Sequence, residues 1–193
     1  MEKLKKKIET EGTCLGTDLI KVDAFLNHQI DPVLMEQIAT TLYEQVKDLP
    51  ITKIVTIESG GIAPAYALAT KLHVPLLFMK KSEPNTMEDP LYTQVFSYTK
   101  QKGYTLCVER KYLSPHDKIL FLDDFLANGE AFKGAERLIL EAGGEIVGVA
   151  ALIEKVFQAG HTYIVDKHYP LFSLAPIQQI ENGKIQWADS LIF

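Results

Sequence analysis

The stretch "ILFLDDFLANGEAFKG" (residues 119–134) decides the fold. Four apolar residues lead into Asp123 and Asp124, a short loop with one glycine follows, and then a helical pattern begins. An apolar run that passes through polar residues directly into a helix is typical of a strand-to-helix turn in an α/β protein. We therefore expect a buried strand over residues 118–122 and a helix that ends at the glycine pair 143–144.

A similar strand–helix pattern lies earlier in the chain. Residues 51–58, "ITKIVTIE", read as a buried strand, and the loop "SGGIAP" (59–64) follows. We expect Pro64 to open a helix that leads to a strand over residues 74–79. The run "IVGVAALI" (146–153) closes the second such unit. Near-continuous apolar strands joined by helices predict a mostly parallel sheet covered by helices, so the predicted fold class is α/β.

The other segments have weaker patterns. A helix is expected with Asp31 as its N-cap and Pro32 as its first residue. Residues 82–92 hold two prolines and few apolar anchors, which indicates a mobile loop. Residues 93–113 predict an antiparallel hairpin at the sheet edge.

The chain has 193 residues, which suits a single domain spanning residues 1–193. We expect a core of about residues 36–154 and a small hood formed by residues 1–35 and 155–193. In the C-terminal part of the hood we interpret the pattern as short strands around the turn 181–184, without another crossover unit.

Composition excludes several classes of protein. The net charge of -5 does not favour nucleic acid as a partner. No apolar run approaches the roughly 18 residues of a membrane span, and the first residues lack the apolar core of a signal peptide. The two cysteines, Cys14 and Cys107, lie far apart and show no metal-ligand spacing. We therefore expect a cytoplasmic protein with neither nucleic acid nor membrane as a partner.

Two predicted loops leave the carboxyl ends of parallel strands, where open α/β sheets bind ligands. The first is the "SGG" loop (59–61), and the second follows residue 122. In the second loop, backbone N–H groups at the helix N-terminus can cradle a phosphate. Asp123 and Asp124 can accept hydrogen bonds from sugar hydroxyls and hold a water shell around Mg²⁺. The alternative is that the two acids only end a strand and cap a turn.

The stretch 119–131 resembles the signature of the type I phosphoribosyltransferases: an apolar strand, two acidic residues, two apolar residues and a small loop with glycine. Three further stretches, 22–32, 51–64 and 153–160, appear in the same order as in that family. Together the four stretches resemble the purine-salvage members of the family, and among these the members that act on xanthine. The resemblance covers nearly the whole chain and implies the type I phosphoribosyltransferase fold.

The resemblance implies one set of residues for phosphoribosyl diphosphate (PRPP). Mg²⁺ would arrive chelated by PRPP, with no metal held by the protein alone. The loop 82–92 would close over the reacting centre and exclude water. Two lysines would neutralise the leaving diphosphate, within the chain or across the interface of a homodimer; the alternative is that they only form a solvated strand end. The implied set is Asp123 and Asp124 as catalytic residues at the ribose; Ala127, Asn128, Gly129, Glu130 and Ala131 at the 5-phosphate; Ser59, Gly60 and Gly61 at the diphosphate; and Lys80 and Lys81 as the lysines.

A second set would bind xanthine: Ile20, Asn27, Lys155 and Phe157. Xanthine is more acidic than hypoxanthine or guanine and carries an extra carbonyl at C2, so a cation favours it. Phe157 would stack on the purine or belong to the core. Without the resemblance, Lys155 reads as a surface lysine at the start of a loop.

Two positions depart from related loops. Glu130 stands where they carry an uncharged or basic side chain, and it would repel a phosphate unless it pointed to solvent. Ala127 stands where hypoxanthine-guanine enzymes place an aspartate, which leaves no named general base. The missing aspartate argues against a preference for hypoxanthine or guanine, although an enzyme acting on these bases stays as an alternative. A non-catalytic PRPP-sensing regulator is a second alternative, although no helix-turn-helix is recognisable before the first sheet strand.

Overall fold

A computed structural model of the chain describes residues 1–16, 18–82, 86–97 and 101–188. Five α-helices and ten strands account for most of these residues. In chain order they are α1 (Glu2–Glu11), β1 (Thr13–Leu15), β2 (Leu19–Lys21), α2 (Pro32–Val46), β3 (Lys53–Ile57), α3 (Ile62–Leu72), β4 (Leu76–Met79), β5 (Pro90–Ser97), β6 (Lys102–Glu109), β7 (Lys118–Leu126), α4 (Glu130–Glu141), β8 (Glu145–Lys155), α5 (Ala159–Asp166), β9 (Leu171–Glu181) and β10 (Lys184–Trp187).

A six-stranded sheet with the order β10-β9-β8-β7-β3-β4 organises the molecule. Its strands pair in parallel from β9 to β4, and only β10 is antiparallel to its neighbour. Apolar clusters cover both faces: α2 and α3 pack on one face and α4 on the other. The predicted fold class, α/β with a mostly parallel sheet flanked by helices, is confirmed.

Local chemistry explains where the helices on the first face begin. The Asp31 carboxylate accepts hydrogen bonds from the backbone N–H groups of Val33 and Leu34, both at 3.0 Å, and Pro32 follows as the first helical residue, as predicted. The prediction that Pro64 opens α3 was wrong, because the helix begins at Ile62. Proline fits the third helical position, since the first N–H groups of a helix have no partner inside it.

β7 is longer than the strand predicted over residues 118–122. It continues through Asp123 and Asp124 to Leu126, because the neighbouring β8 extends alongside it. The two aspartates are therefore strand residues, held by backbone pairing, rather than the start of a loop.

The interpretation of the C-terminal region was wrong in one respect. After β8, the helix α5 leads to β9, which lies parallel to β8, and this is a further crossover unit. The short helix has no side-chain cap at its start and β9 contains Pro176, so neither element shows a clear pattern. The turn 181–184 is confirmed as the connection of β9 and β10.

The two ends of the chain do pack together. The amino group of Met1 donates to the carbonyl oxygen of Leu174, and the Trp187 indole N–H donates to Glu9 Oε1 at 2.6 Å. The limits given for the hood stay a prediction.

The predicted hairpin is confirmed as β5 and β6. It joins the end of β4 through backbone hydrogen bonds between Lys80 and Cys107, and Arg137 of α4 donates to Thr93 and Gln94 of β5. Since β5 begins at Pro90, the loop predicted over residues 82–92 ends earlier than expected. Residues 83–85 lie outside the described residues, and the mobility of the loop stays a prediction. Within the described chain, no helix is long and apolar enough to cross a membrane.

Candidate active site

The loop after β3 packs against the acidic pair of β7. A Cβ atom on Gly60 would lie 2.1 Å from Asp124 Oδ2, and one on Gly61 would lie 3.0 Å from Asp123 Oδ1. The Gly61 position would also clash with Thr56 Oγ1 at 2.0 Å. Only glycine at these positions lets the loop approach both carboxylates. The peptide bond before Ser59, which follows Glu58, is cis.

The Asp123 carboxyl lies at this edge with a strongly raised pKa. Burial raises its pKa well above the usual range, and the neighbouring charge of Asp124 raises it further. The backbone N–H of Asp124 donates to Asp123 Oδ1 at 3.0 Å. This hydrogen bond and the charge of Lys81 lower the pKa of Asp123, but by less than burial and Asp124 raise it. An arriving dication or a donating hydroxyl would therefore favour the ionised form of this acid.

A cavity of about 620 Å³ opens between this edge and the β5–β6 hairpin. The N-terminus of α4 faces it. Gly129, with a φ of 80°, precedes the helix as its N-cap, and none of the described side chains caps that end. The first N–H groups of a helix lack partners inside it and attract anions. All five residues predicted for the 5-phosphate line the cavity, together with Asp123: Ala127, Asn128, Gly129, Glu130 and Ala131.

Glu130 does not stand alone in the first turn of α4. Its Oε1 lies 2.7 Å from Lys133 Nζ, and this ammonium lies 4.9 Å from the centroid of the Tyr163 ring. The neighbouring cation offsets the charge of Glu130, which reduces the repulsion that an incoming phosphate would meet.

The two lysines predicted for the diphosphate differ in position. Lys81 lines the cavity, and its Nζ lies 5.7 Å from the centroid of the Tyr104 ring. Lys80 Nζ instead lies 5.8 Å from the ring centroid of Phe78, which is 39% exposed. Of the two lysines, Lys81 is the one that lines the cavity with the residues predicted for the 5-phosphate.

The sequence did not indicate two further residues at this edge. The Glu58 carboxylate accepts from the Lys81 backbone N–H at 2.7 Å, which fixes the chain after β4. Tyr104 lines the cavity, and burial together with the charges of Asp123 and Glu130 raises its pKa to about 12. Its hydroxyl is therefore a neutral hydrogen-bond donor at physiological pH.

Lys155 lies at the carboxyl end of β8, and its side chain is only 9% exposed. Its Nζ donates to the Asp18 carbonyl oxygen and contacts Asp18 Oδ1 at 3.0 Å, while the Gln158 amide donates to the same carboxylate oxygen. Ile20, two residues after Asp18, is buried in the core. The structure thus brings the region of Ile20 to Lys155 through an acid that the sequence did not single out.

The other two residues predicted for the base are more exposed. Asn27 lies exposed in a short π-helical segment, Asp23–Asn27, and Phe157 is 45% exposed in the turn after β8. Phe157 is therefore not a core residue, and its stacking on a purine stays a prediction.

Gly160 connects the Lys155 region to the loop before α4. Its backbone N–H donates to the Ala127 carbonyl oxygen at 2.9 Å. A Cβ at Gly160 would lie 2.4 Å from that oxygen and 2.9 Å from the Gly129 nitrogen. The phosphate-facing loop therefore rests on the start of α5.

Comparison with known proteins agrees with this geometry. The family model of the Phosphoribosyl transferase domain matches residues 22–186, and the chain belongs to the phosphoribosyltransferase family. Curated relatives are named xanthine phosphoribosyltransferase. The protein of Acinetobacter baumannii is 47% identical over 186 residues, covering 96% of this chain and 97% of its own. That of Lacticaseibacillus casei is 45% identical over 189 residues, covering 97% and 98%.

Solved structures show the same fold. The adenine phosphoribosyltransferase of Rhodothermus marinus has a TM-score of 0.75 at 23% identity, covering 92% of this chain and all of that one (100%). The enzyme of Trypanosoma brucei, solved with AMP, pyrophosphate and ribose-5-phosphate, also has a TM-score of 0.75, at 19% identity, covering 90% of this chain and 79% of that one.

Proposed function

We propose that the protein transfers the 5-phosphoribosyl group of PRPP to N9 of xanthine, forming XMP and diphosphate. The observation that carries the proposal is a buried lysine, Lys155, at the strand end next to the phosphate-facing loop, in a chain whose full-length relatives bear the name of that activity. A cation at this place favours a base with an acidic ring and a C2 carbonyl.

On the PRPP side, the helix tip and its loop, residues 127–131, hold the 5-phosphate through backbone N–H groups. Asp123 and Asp124 accept hydrogen bonds from the ribose hydroxyls. The N–H groups of residues 59–61 bind the diphosphate, and Lys81 adds positive charge near it. Backbone pairing holds Asp123 in β7, and the hydrogen bond from Gly160 to Ala127 supports the loop before substrate arrives, so positioning and electrostatics supply most of the rate.

Magnesium belongs to the proposal as a companion of PRPP. Within the described residues, no group of three or more His, Cys, Asp or Glu side chains could hold a metal ion. The donors present fit an ion that PRPP chelates, with Asp123 and Asp124 accepting hydrogen bonds from its water shell. When bound, Mg²⁺ neutralises charge on the diphosphate as it leaves.

On the base side, Lys155 faces the C2 carbonyl of xanthine, Asn27 and the Ile20 segment hold the ring edge, and Phe157 covers its face. A partly ionised xanthine needs less help from a general base. Exposed Tyr66 on α3 and Phe78 on β4 support a homodimer, in which Lys80 would serve the partner. The two cysteines, Cys14 and Cys107, are not joined by a disulfide, which suits a cytoplasmic location.

The test is nucleotide formation from PRPP and Mg²⁺ with xanthine, hypoxanthine or guanine in parallel, followed by chromatography. We expect kcat/KM to be higher for xanthine than for hypoxanthine or guanine, with XMP as the product. A preference for hypoxanthine or guanine would replace the substrate assignment. PRPP binding without turnover of any purine would favour the PRPP-sensing regulator.

A further inference from the structure

Asp18, the residue before β2, covers the proposed base-binding cation. It presents both its backbone carbonyl and its carboxylate to Lys155 Nζ. The Asp18 side chain is 63% exposed, whereas the Lys155 side chain is 9% exposed. The acid therefore lies on the solvent side of the pair and the ammonium beneath it.

This arrangement has a physical cause. A buried ammonium without a partner is costly, so the empty protein needs an acceptor at this point. Asp18 supplies it and also binds the amide nitrogen of Gln158. The Gln158 amide oxygen is buried and has no hydrogen-bond partner within the described residues, so the cluster is not fully satisfied while Asp18 is in place.

We propose that Asp18 is an internal competitor of the purine for Lys155 and thereby sets the affinity of the enzyme for its base. The inference rests on the proposed role of Lys155 in binding xanthine. An ammonium with so little exposure cannot contact a purine until Asp18 moves away. The C2 carbonyl of xanthine then replaces the carboxylate on Lys155, and a ring N–H can donate to the free oxygen of Gln158.

A competitor held in the same chain lowers the apparent affinity for the base, because part of the binding energy is used to displace it. Removing the charge of Asp18 should therefore tighten xanthine binding rather than weaken it. The opposite follows if Asp18 only positions Lys155 for the base. The two roles thus predict changes of opposite sign.

The experiment measures KM for xanthine and for PRPP, with kcat, in the wild type, Asp18→Asn, Lys155→Ala and the double variant. In Asp18→Asn, KM for xanthine should fall about two- to fivefold, as for loss of a partly exposed ion pair, with kcat and KM for PRPP unchanged. In the Lys155→Ala background, the same change should have no effect on KM for xanthine. Glu44→Gln removes the same charge from an exposed pair on α2 and should change nothing.

A xanthine KM that rises or stays constant in Asp18→Asn would overturn the inference, while turnover by the wild type would leave the proposed function intact. An effect that persists without Lys155 would overturn it as well. No turnover of xanthine by the wild type would overturn both. If Asp18→Asn fails to fold, Asp18→Ser removes the charge with a smaller side chain and answers the same question.

Discussion

The proposed site has a phosphate-facing side, residues 59–61 and 123–131, and a base-facing side around Lys155. Before substrate binds, the two sides differ in which groups they expose. At the tip of α4 an open cavity meets backbone N–H groups that no described side chain caps. At Lys155 the cation is covered, and an acid of the same chain occupies it. The comparison teaches that the proposed anion site consists of backbone N–H groups, whereas the proposed base site consists of side chains that are paired with each other in the absence of a base.

The largest effect on activity should come from a change on the phosphate-facing side. Gly60→Ala places a methyl group 2.1 Å from the Asp124 carboxylate and must push the acid or the loop aside. A displacement near 1 Å costs about 100-fold in rate, so kcat/KM for PRPP should fall by about that factor. Steady-state kinetics measure this, and the thermal midpoint shows whether the fold persists. Near-normal kinetics in a folded variant would mean that the loop does not need its close approach.

The substitution Asp123→Asn, also on the phosphate-facing side, should change activity and stability in opposite directions. It should lower kcat/KM about 10- to 100-fold, the range for losing a hydrogen bond to a charged group. The raised pKa of Asp123 means that the folded state holds a proton that the unfolded chain releases. The stability from that proton is present below the unfolded pKa of about 3.9 and is lost as pH rises through the folded pKa. Without PRPP, the free energy of unfolding of the variant should therefore increase relative to that of the wild type as the pH rises from 4 to 8.

Thermal midpoints across that pH range measure the difference. A difference that stays constant with pH, or that shrinks toward pH 8, would contradict the electrostatic account of Asp123.

Gly160→Ala tests the connection between the two sides. The added Cβ meets the Ala127 carbonyl at 2.4 Å and should shift the phosphate-facing loop. We expect KM for PRPP to rise about tenfold, equivalent to roughly 1.4 kcal/mol, with a smaller change in KM for xanthine. Calorimetric titration of PRPP with Mg²⁺ into the variant provides an independent measure. Unchanged PRPP binding would show that the loop does not depend on α5.

The smallest effect is expected for Glu130→Gln. Because Lys133 already offsets the charge of Glu130, neutralising it should lower KM for PRPP by only about twofold, the size of a surface pair. Measurement at low and at physiological ionic strength checks the assignment, since screening should reduce the difference. A tenfold or greater gain in affinity would show that Glu130 faces the phosphate directly.

The phosphate-facing side follows from a local pattern, whereas the residues for the base came from the resemblance alone and stay a prediction. The acids, the small loop and the helix are contiguous, so local pattern and the strand-end rule place Asp123 beside residues 127–131. The length of β7 was missed because it depends on pairing with β8. The helix–strand unit after β8 was missed because α5 is short and β9 carries a proline.

The residues that sequence reasoning missed are all set by distant contacts. Asp18 reaches Lys155 across 137 positions of the chain, and Tyr104 reaches the cavity through the packing of its hairpin. The role of Gly160 depends on a neighbour more than 30 positions away in the chain. No local pattern distinguishes such an aspartate, tyrosine or glycine from surface residues of the same type.

The most direct test of the central claim is the ratio of kcat/KM for xanthine to that for hypoxanthine, measured in the wild type and in Lys155→Ala. The account predicts a large ratio in the wild type that falls toward unity in the variant, while KM for PRPP stays within about twofold because the phosphate-facing side is built separately. A ratio that survives the loss of Lys155 would contradict the account, since another group would then choose the base.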